Sequence, residues 1–225
     1  MNSSVPSPCV SMERMVSIHE AGIAIVDVPL KAATPESFRG FGHIVASFAE
    51  AEVDIATWPA PGRRPVEPGT GLGGGVTCGK FEVYRNGDMM HARNHAVDGH
   101  YITGWFADPL TASEQSMDVD DSRVLVREAN YHPDGGQVFY PCDGQPFVAL
   151  LARPGDDVTP QDFVAFYCDG TFGVHIDANV WHQPLFPIGE RIVFDDKQGR
   201  VHACIACDFV KEFGAYLSVP LRYGN

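Results

Sequence analysis

The residues able to do chemistry cluster in the second half of the chain. Asn130, Tyr131 and His132 are followed by "PDGG", then Gln137, then "VFYPCD" and Gly144. Further on, "GVHIDANVWHQPLF" supplies His175, Asp177, Asn179, Trp181 and His182. An imidazole titrates near neutrality, so His132 and His182 suit a general base or acid, and either also suits a metal ion. Amides at Asn130 and Gln137 can hold a polar ligand without titrating. If a strand and the turn after it carry 130, 132 and 137, these side chains meet on one inner face, and 182 reaches them from a second hairpin. Four polar groups inside an apolar barrel cannot be left unsatisfied, and one ion or polar ligand would satisfy them together. His175 and Asp177 alternate, so a strand points both to one side: inward they complete the set, and a one-residue shift of register turns both outward. Glu128 lies two before Asn130 on the same strand face and is a further cavity candidate. Gln137 reads equally as a buried core amide, and Trp181 as packing.

Such side chains need a β scaffold. The runs "SRVLVREANY", "GQVFYP", "PFVALLA", "DFVAFYCDG", "RIVFDDKQG" and "RVHACIACDF" are rich in Val, Ile, Phe and Tyr and follow one another at hairpin spacing. "KFEVYRNG" ends in Asn86-Gly87, a hairpin turn signal. The reading is a mainly β fold, an antiparallel barrel or sandwich, with a few short helices. Before it, residues 17–29 suggest a first strand. A short helix should open at Thr34-Pro35-Glu36 and stop at Gly40 and Gly42, with a strand resuming over Ile44 to Phe48. Residues 1–15 read as a disordered tail, and 16–225 as one domain. Within it "WPAPGRRPVEPGTGLGGG", at about 58–79, reads as a long loop, either a mobile lid or an arm towards a partner subunit.

Composition excludes several classes. With 16 Lys plus Arg against 29 Asp plus Glu, the net charge of −13 argues against nucleic acid or an anionic membrane as partner. No stretch approaches the roughly 18 apolar residues of a membrane span, and the N-terminus lacks the pattern of a signal peptide. A cytoplasmic protein is the expectation. Six cysteines are too few for a disulfide scaffold in a chain of 225 residues. The single Cys204-x-x-Cys207 sits in an apolar run and reads as a buried strand ahead of a metal or redox pair. "HARNHAVDGH", with His91, Arg93, His95 and His100, reads as a solvated loop. One of Arg85, Arg93, Arg123 or Arg127 should hold a substrate carboxylate, if there is one.

Two resemblances add to this. Cupin barrels carry metal ligands in two signatures: His-x-His, four residues, an acid, six residues and Gly; then Pro-x-Gly-x-x-His. Residues 130–144 keep the first spacing, with Asn130 for the first His and Gln137 for the acid, and 177–182 keep only the His of the second. More closely, "YHPDGGQVFYPCDGQPFVALLA" and "GTFGVHIDANVWHQPLF", with "TPESFRGFGHIV" near the N-terminus, resemble the ureidoglycolate lyase family. The resemblance covers about residues 28–48 and 124–195. It departs at Asn130, where the family has Glu, and at His175-Ile176-Asp177-Ala178, where it has Asn-Tyr-His-Arg.

The resemblance implies a cupin-like double-stranded β-helix, a homodimer, and cleavage of ureidoglycolate to glyoxylate and urea in allantoin catabolism. His132, His182 and Asp177 are then the catalytic candidates, and Gln137, Asn130, His175, Glu128 and Asn179 the substrate-binding ones. His132, Gln137 and His182 would hold a divalent ion such as Ni²⁺, Mn²⁺ or Zn²⁺, with no organic cofactor. Two alternatives stand beside it: an enzyme of the same fold acting on another hydroxy acid or N-substituted amino acid, and a non-catalytic cupin that binds a small acid.

Overall fold

The computed structural model describes residues 17–18, 22–56 and 62–224. The expected tail and Trp58 lie outside them. Seventeen strands occur among the described residues. They begin with β1 (Ala24–Asp27), β2 (Leu30–Ala32), β3 (Gly42–Val45), β4 (Val76–Asn86), β5 (Met89–Asn94) and β6 (Gly99–Trp105). The middle of the chain gives β7 (Arg123–Val126), β8 (Glu128–Tyr131), β9 (Gln137–Pro141), β10 (Phe147–Ala152), β11 (Val164–Cys168) and β12 (Gly173–Ile176). Last come β13 (Trp181–His182), β14 (Phe186–Pro187), β15 (Arg191–Gly199), β16 (Ile205–Asp208) and β17 (Ala215–Pro220). A five-residue helix, α1 (Phe209–Phe213), is capped by Asp208, which accepts from the Lys211 N–H, and closed by left-handed Gly214.

Two sheets result. One runs β1-β17-β7-β6-β5-β4-β15-β9-β12-β3, the other β16-β8-β13-β10-β11-β2 with β14 also on β10. A single apolar cluster draws on both, and Phe147 of the second sheet meets Phe194 of the first edge to face at 5.1 Å. This mainly β, cupin-like architecture is the one expected. Not all pairing is antiparallel: β1 runs parallel to β17, and β2 parallel to β11. Those partners are far apart in sequence, so no hairpin constrains their direction.

Three local expectations change. The Thr34 helix is one turn only. Thr34 and Ser37 cap each other, Oγ1 of Thr34 accepting from Ser37 N (3.1 Å) and Oγ of Ser37 from Thr34 N (2.9 Å), and Gly40 at φ +86° then turns the chain away. "HARNHAVDGH" is a hairpin of β5 and β6 rather than a solvated loop, and it buries His91. The Pro/Gly segment ends sooner than expected, since β4 already starts at Val76.

That segment is fastened to its own chain. Arg64 forks onto Glu212 (Nη2 to Oε2, 2.7 Å), donates to the Asp156 carbonyl and lies over Trp181 at 5.3 Å. Glu67 N donates to Cys204 O (2.8 Å), Cys204 N to Thr70 Oγ1 (3.0 Å), and Gly71 N to His202 O (3.0 Å). Gly69 and Thr70 are thereby laid across the 202–204 segment.

Candidate active site

A cavity of about 160 Å³ opens where the second sheet and the start of β9 face the 199–204 turn. Sites for drug-sized ligands run to about 300–1,000 Å³, so this one suits a small metabolite. Glu128, Asn130, His132, Gln137 and His182 all line it, together with Gln183, Gln198, Arg200, His202 and Thr70. Five of the sequence candidates therefore meet. The register explains it: His182 on β13 pairs directly with Asn130 on β8, and alternation puts Glu128 and Asn130 on one face.

Hydrogen bonds fix the two imidazoles. His132 Nδ1 donates to the Ala203 carbonyl (3.1 Å) and His182 Nδ1 to the Val180 carbonyl (2.8 Å). Each Nε2 is thereby left with a lone pair. The rings meet edge to face at 5.0 Å. Burial pushes the His182 imidazole down to about 4. It takes His132 well below the usual range, and the neighbouring His202 and His182 add to that. Both are neutral at physiological pH.

Glu128 goes the other way. Burial, reinforced by the negative charges of Asp208 and Glu67, raises its carboxyl to about 7. Its backbone carbonyl accepts from Gln183 Nε2. One cavity thus holds neutral bases beside a carboxyl that still carries its proton near neutrality, the divergence that separates acid from base roles.

Gln137 is oriented from behind. Its Nε2 donates to Asp196 Oδ1 and to Gln198 Oε1, both at 2.8 Å, so its carbonyl oxygen is the end left for a ligand. Asp196 is fully buried, its Oδ2 has no hydrogen-bond partner among the described residues, and burial raises it to about 7 against the opposing Gln137 hydrogen bond.

Three candidates lie elsewhere. His175 and Asp177 turn away, because Val174 and Ile176 take the core positions of β12 and His175 pairs with Val138, which packs in a separate buried cluster with Val45, Ala51 and Val53. Asn179 is exposed at φ +67°. Its backbone N–H donates to the His132 carbonyl (3.0 Å), which makes it a turn residue that steadies His132. Trp181 is fully buried with Nε1 on the Gly155 carbonyl (2.9 Å), as packing requires. Cys204 and Cys207 are buried and unbridged.

Sequence reasoning missed the layer behind the site. His202 stacks on His132 at 4.2 Å and 5°, its Nδ1 is held by Asp134 Oδ1 (3.2 Å), and its Nε2 accepts from Gly199 N (2.9 Å). A lone His beside a cysteine-bearing strand gave no cue to this, because its partners come from distant loops. None of Arg85, Arg93, Arg123 and Arg127 lines the cavity, whereas Arg200 does. Arg85 and Arg127 are held by Asp121, Glu190 and Asp208.

The donors do not fit a resident metal. His132, His182 and Gln137 offer two imidazole nitrogens and an amide oxygen, without the charge that a divalent ion favours. Among the described residues no third His, Cys, Asp or Glu brings a ligand atom within sharing distance of the two imidazoles.

A β sandwich with a small, histidine-lined cavity between its sheets defines a cupin-like metabolite site. Over residues 25–207 the chain matches the sequence model of ureidoglycolate lyase, and it belongs to that family. It is 36% identical over 65 residues to the ureidoglycolate lyase of Azotobacter vinelandii, which is 29% of this chain and 39% of that protein. Against that of Stutzerimonas stutzeri it is 35% identical over 83 residues, 36% of this chain and 49% of that protein. The one from Salmonella paratyphi B is 40% identical over 63 residues, 28% of this chain and 39% of that protein. The chain thus spans between about two fifths and one half of the length of these curated relatives.

Proposed function

We propose that the protein is a carbon–nitrogen lyase that cleaves ureidoglycolate to glyoxylate and urea, as a homodimer in the cytoplasm. The observation that carries the chemistry is the opposed protonation of Glu128 and the two histidines in one cavity. His182 or His132, through a free Nε2, takes the proton of the substrate's hydroxyl. The oxygen's electrons form the C=O bond, the C–N bond breaks towards nitrogen, and protonated Glu128 gives its proton to the departing urea nitrogen. One proton has moved from oxygen to nitrogen, and the reaction balances without an added reactant. Gln137 and Asn130 hold the ureido group or the hydroxyl, and Arg200 at the rim meets the carboxylate.

The outward placement of His175 and Asp177 favours this substrate over another hydroxy acid, since the altered 175–178 run lies off the cavity. Family membership supports the same reading, and the homodimer rests on the family resemblance alone. No helix among the described residues is long and apolar enough to cross a membrane.

The test is glyoxylate release from ureidoglycolate by purified protein, with chelator and with added Ni²⁺, Mn²⁺ or Zn²⁺. Turnover that survives the chelator is expected. Turnover only with added metal would sink the metal-free mechanism, and none from a folded protein would sink the substrate.

A further inference from the structure

We infer that His43, His175 and Asp177 form a binding site for a divalent transition-metal ion on the outer face of the sheet, away from the cavity. His43 on β3 and His175 on β12 are direct cross-strand partners, and their rings stack at 4.6 Å and 17°. Asp177 Oδ1 lies 3.1 Å from His175 Nδ1. One ligand atom from each of the three residues falls within 4.8 Å of the others, and no other His, Cys, Asp or Glu group among the described residues does this.

The chemistry suits such an ion. Two imidazoles and one carboxylate are the donors of His₂-carboxylate sites that bind zinc, nickel or iron and keep open positions for water. Bonds of about 2.0–2.2 Å require the three ligand atoms to draw together by roughly an ångström. His43 and Asp177 are exposed and free to do so, while His175 is half-buried and held in place. Its ring lies over Gly136, where an added Cβ would come within 2.6 Å of Cε1. His43 has no hydrogen-bond partner among the described residues, so what coordination would disturb is its stack on His175. β3 is the terminal strand of its sheet. An ion shared between β3 and β12 would fasten that edge, and binding would appear as stabilisation of the folded state.

The experiment titrates Zn²⁺, and separately Ni²⁺, into chelator-stripped, untagged protein by calorimetry, with thermal unfolding followed in parallel. It compares wild type, His43→Ala, Asp177→Asn, and a double variant His132→Ala/His182→Ala. One equivalent should bind to wild type and raise its Tm by a few degrees. Affinity should fall at least tenfold in His43→Ala and in Asp177→Asn, both judged folded by circular dichroism, and persist in the cavity double variant. Unchanged binding in His43→Ala, loss of binding in the cavity variant, or no binding to wild type would each overturn the assignment. Glyoxylate release by His43→Ala is read separately, so failure of the metal site and failure of the lyase reading stay distinct.

Discussion

Two pairs of stacked imidazoles sit in different surroundings in this sandwich. His132 and His202 stack at 4.2 Å inside it, and His43 and His175 at 4.6 Å on its outer face. Inside, three of the four ring nitrogens are committed to protein partners, and the one left, His132 Nε2, belongs to a ring that lines the cavity. Outside, His43 commits neither nitrogen to another of the described residues, and a carboxylate stands beside its partner. Stacking alone therefore says little about function. What separates the two pairs is which lone pairs remain and whether water is excluded from them. The enclosed pair suits proton transfer on a small substrate, and the open pair suits capture of an ion.

Exchanging the effects between the two regions would break this contrast. His182→Ala removes a cavity base, and turnover should fall by on the order of 10²–10⁴-fold. His43→Ala should leave it within about twofold. Steady-state glyoxylate release measures both, and equal losses would erase the distinction. Glu128→Gln sharpens the acid–base half. His182 must be deprotonated to act and Glu128 protonated, so kcat/KM should rise with pH through about 4 and fall through about 7. The Gln variant should be slower by roughly 10²-fold and should lose the descending limb. A limb near 7 that persists in Glu128→Gln would move the acid role to another group.

How legible was this from the chain? The β class was, because Val, Ile and Phe alternate in short runs between turn residues. The convergence of Glu128, Asn130, His132, Gln137 and His182 was also legible, because strand parity and one hairpin place them together. Parity alone could not orient His175, since only the pairing of β12 with β9 and β3 decides which residues face inward. Thr34 gave a true capping signal, but Gly40 ended the turn before a helix could form. The layer of Asp134, His202, Asp196 and Gln198 left no local signal. Asp134 sits in a turn, Asp196 and Gln198 in a run of polar residues and His202 in an apolar one, and each takes its meaning from a partner that is distant in sequence.

Asp196 shows what that layer does energetically. Its folded carboxyl is raised to about 7 from an ordinary 3.8, so the folded state holds the proton more tightly than the unfolded one. The resulting contribution is fully present below about 4 and is lost as pH rises through 7. Asp196→Asn keeps an acceptor for Gln137 but places two N–H donors where the protonated carboxyl has a single O–H, and the added unsatisfied donor costs about 1–3 kcal/mol. At pH 5 the variant should be the less stable. Between pH 5 and 8 the gap should shrink by about 2–3 kcal/mol, since each unit of pKa shift is worth about 1.4 kcal/mol. Denaturant unfolding at the two pH values measures it, and a gap that widens with pH would refute the buried, protonated Asp196.

Among the cavity residues the smallest effect belongs to the rim. Arg200 is exposed, its backbone N–H donates to Gly75 O (2.8 Å), and its stem runs beside Gly74, where a Cβ would meet Arg200 Cβ and Cδ at 3.5 Å. The glycine segment thus sets where the guanidinium can reach. Water screens a charge at this position, so its grip on a substrate carboxylate is modest. Arg200→Ala should raise KM about tenfold, which corresponds to about 1.4 kcal/mol, with kcat little changed. Arg200→Lys should recover part of the loss, because it restores the charge without the two-pronged geometry. A fall in kcat at constant KM would instead place Arg200 at the reacting atoms, and the cavity's chemistry would then extend to its rim.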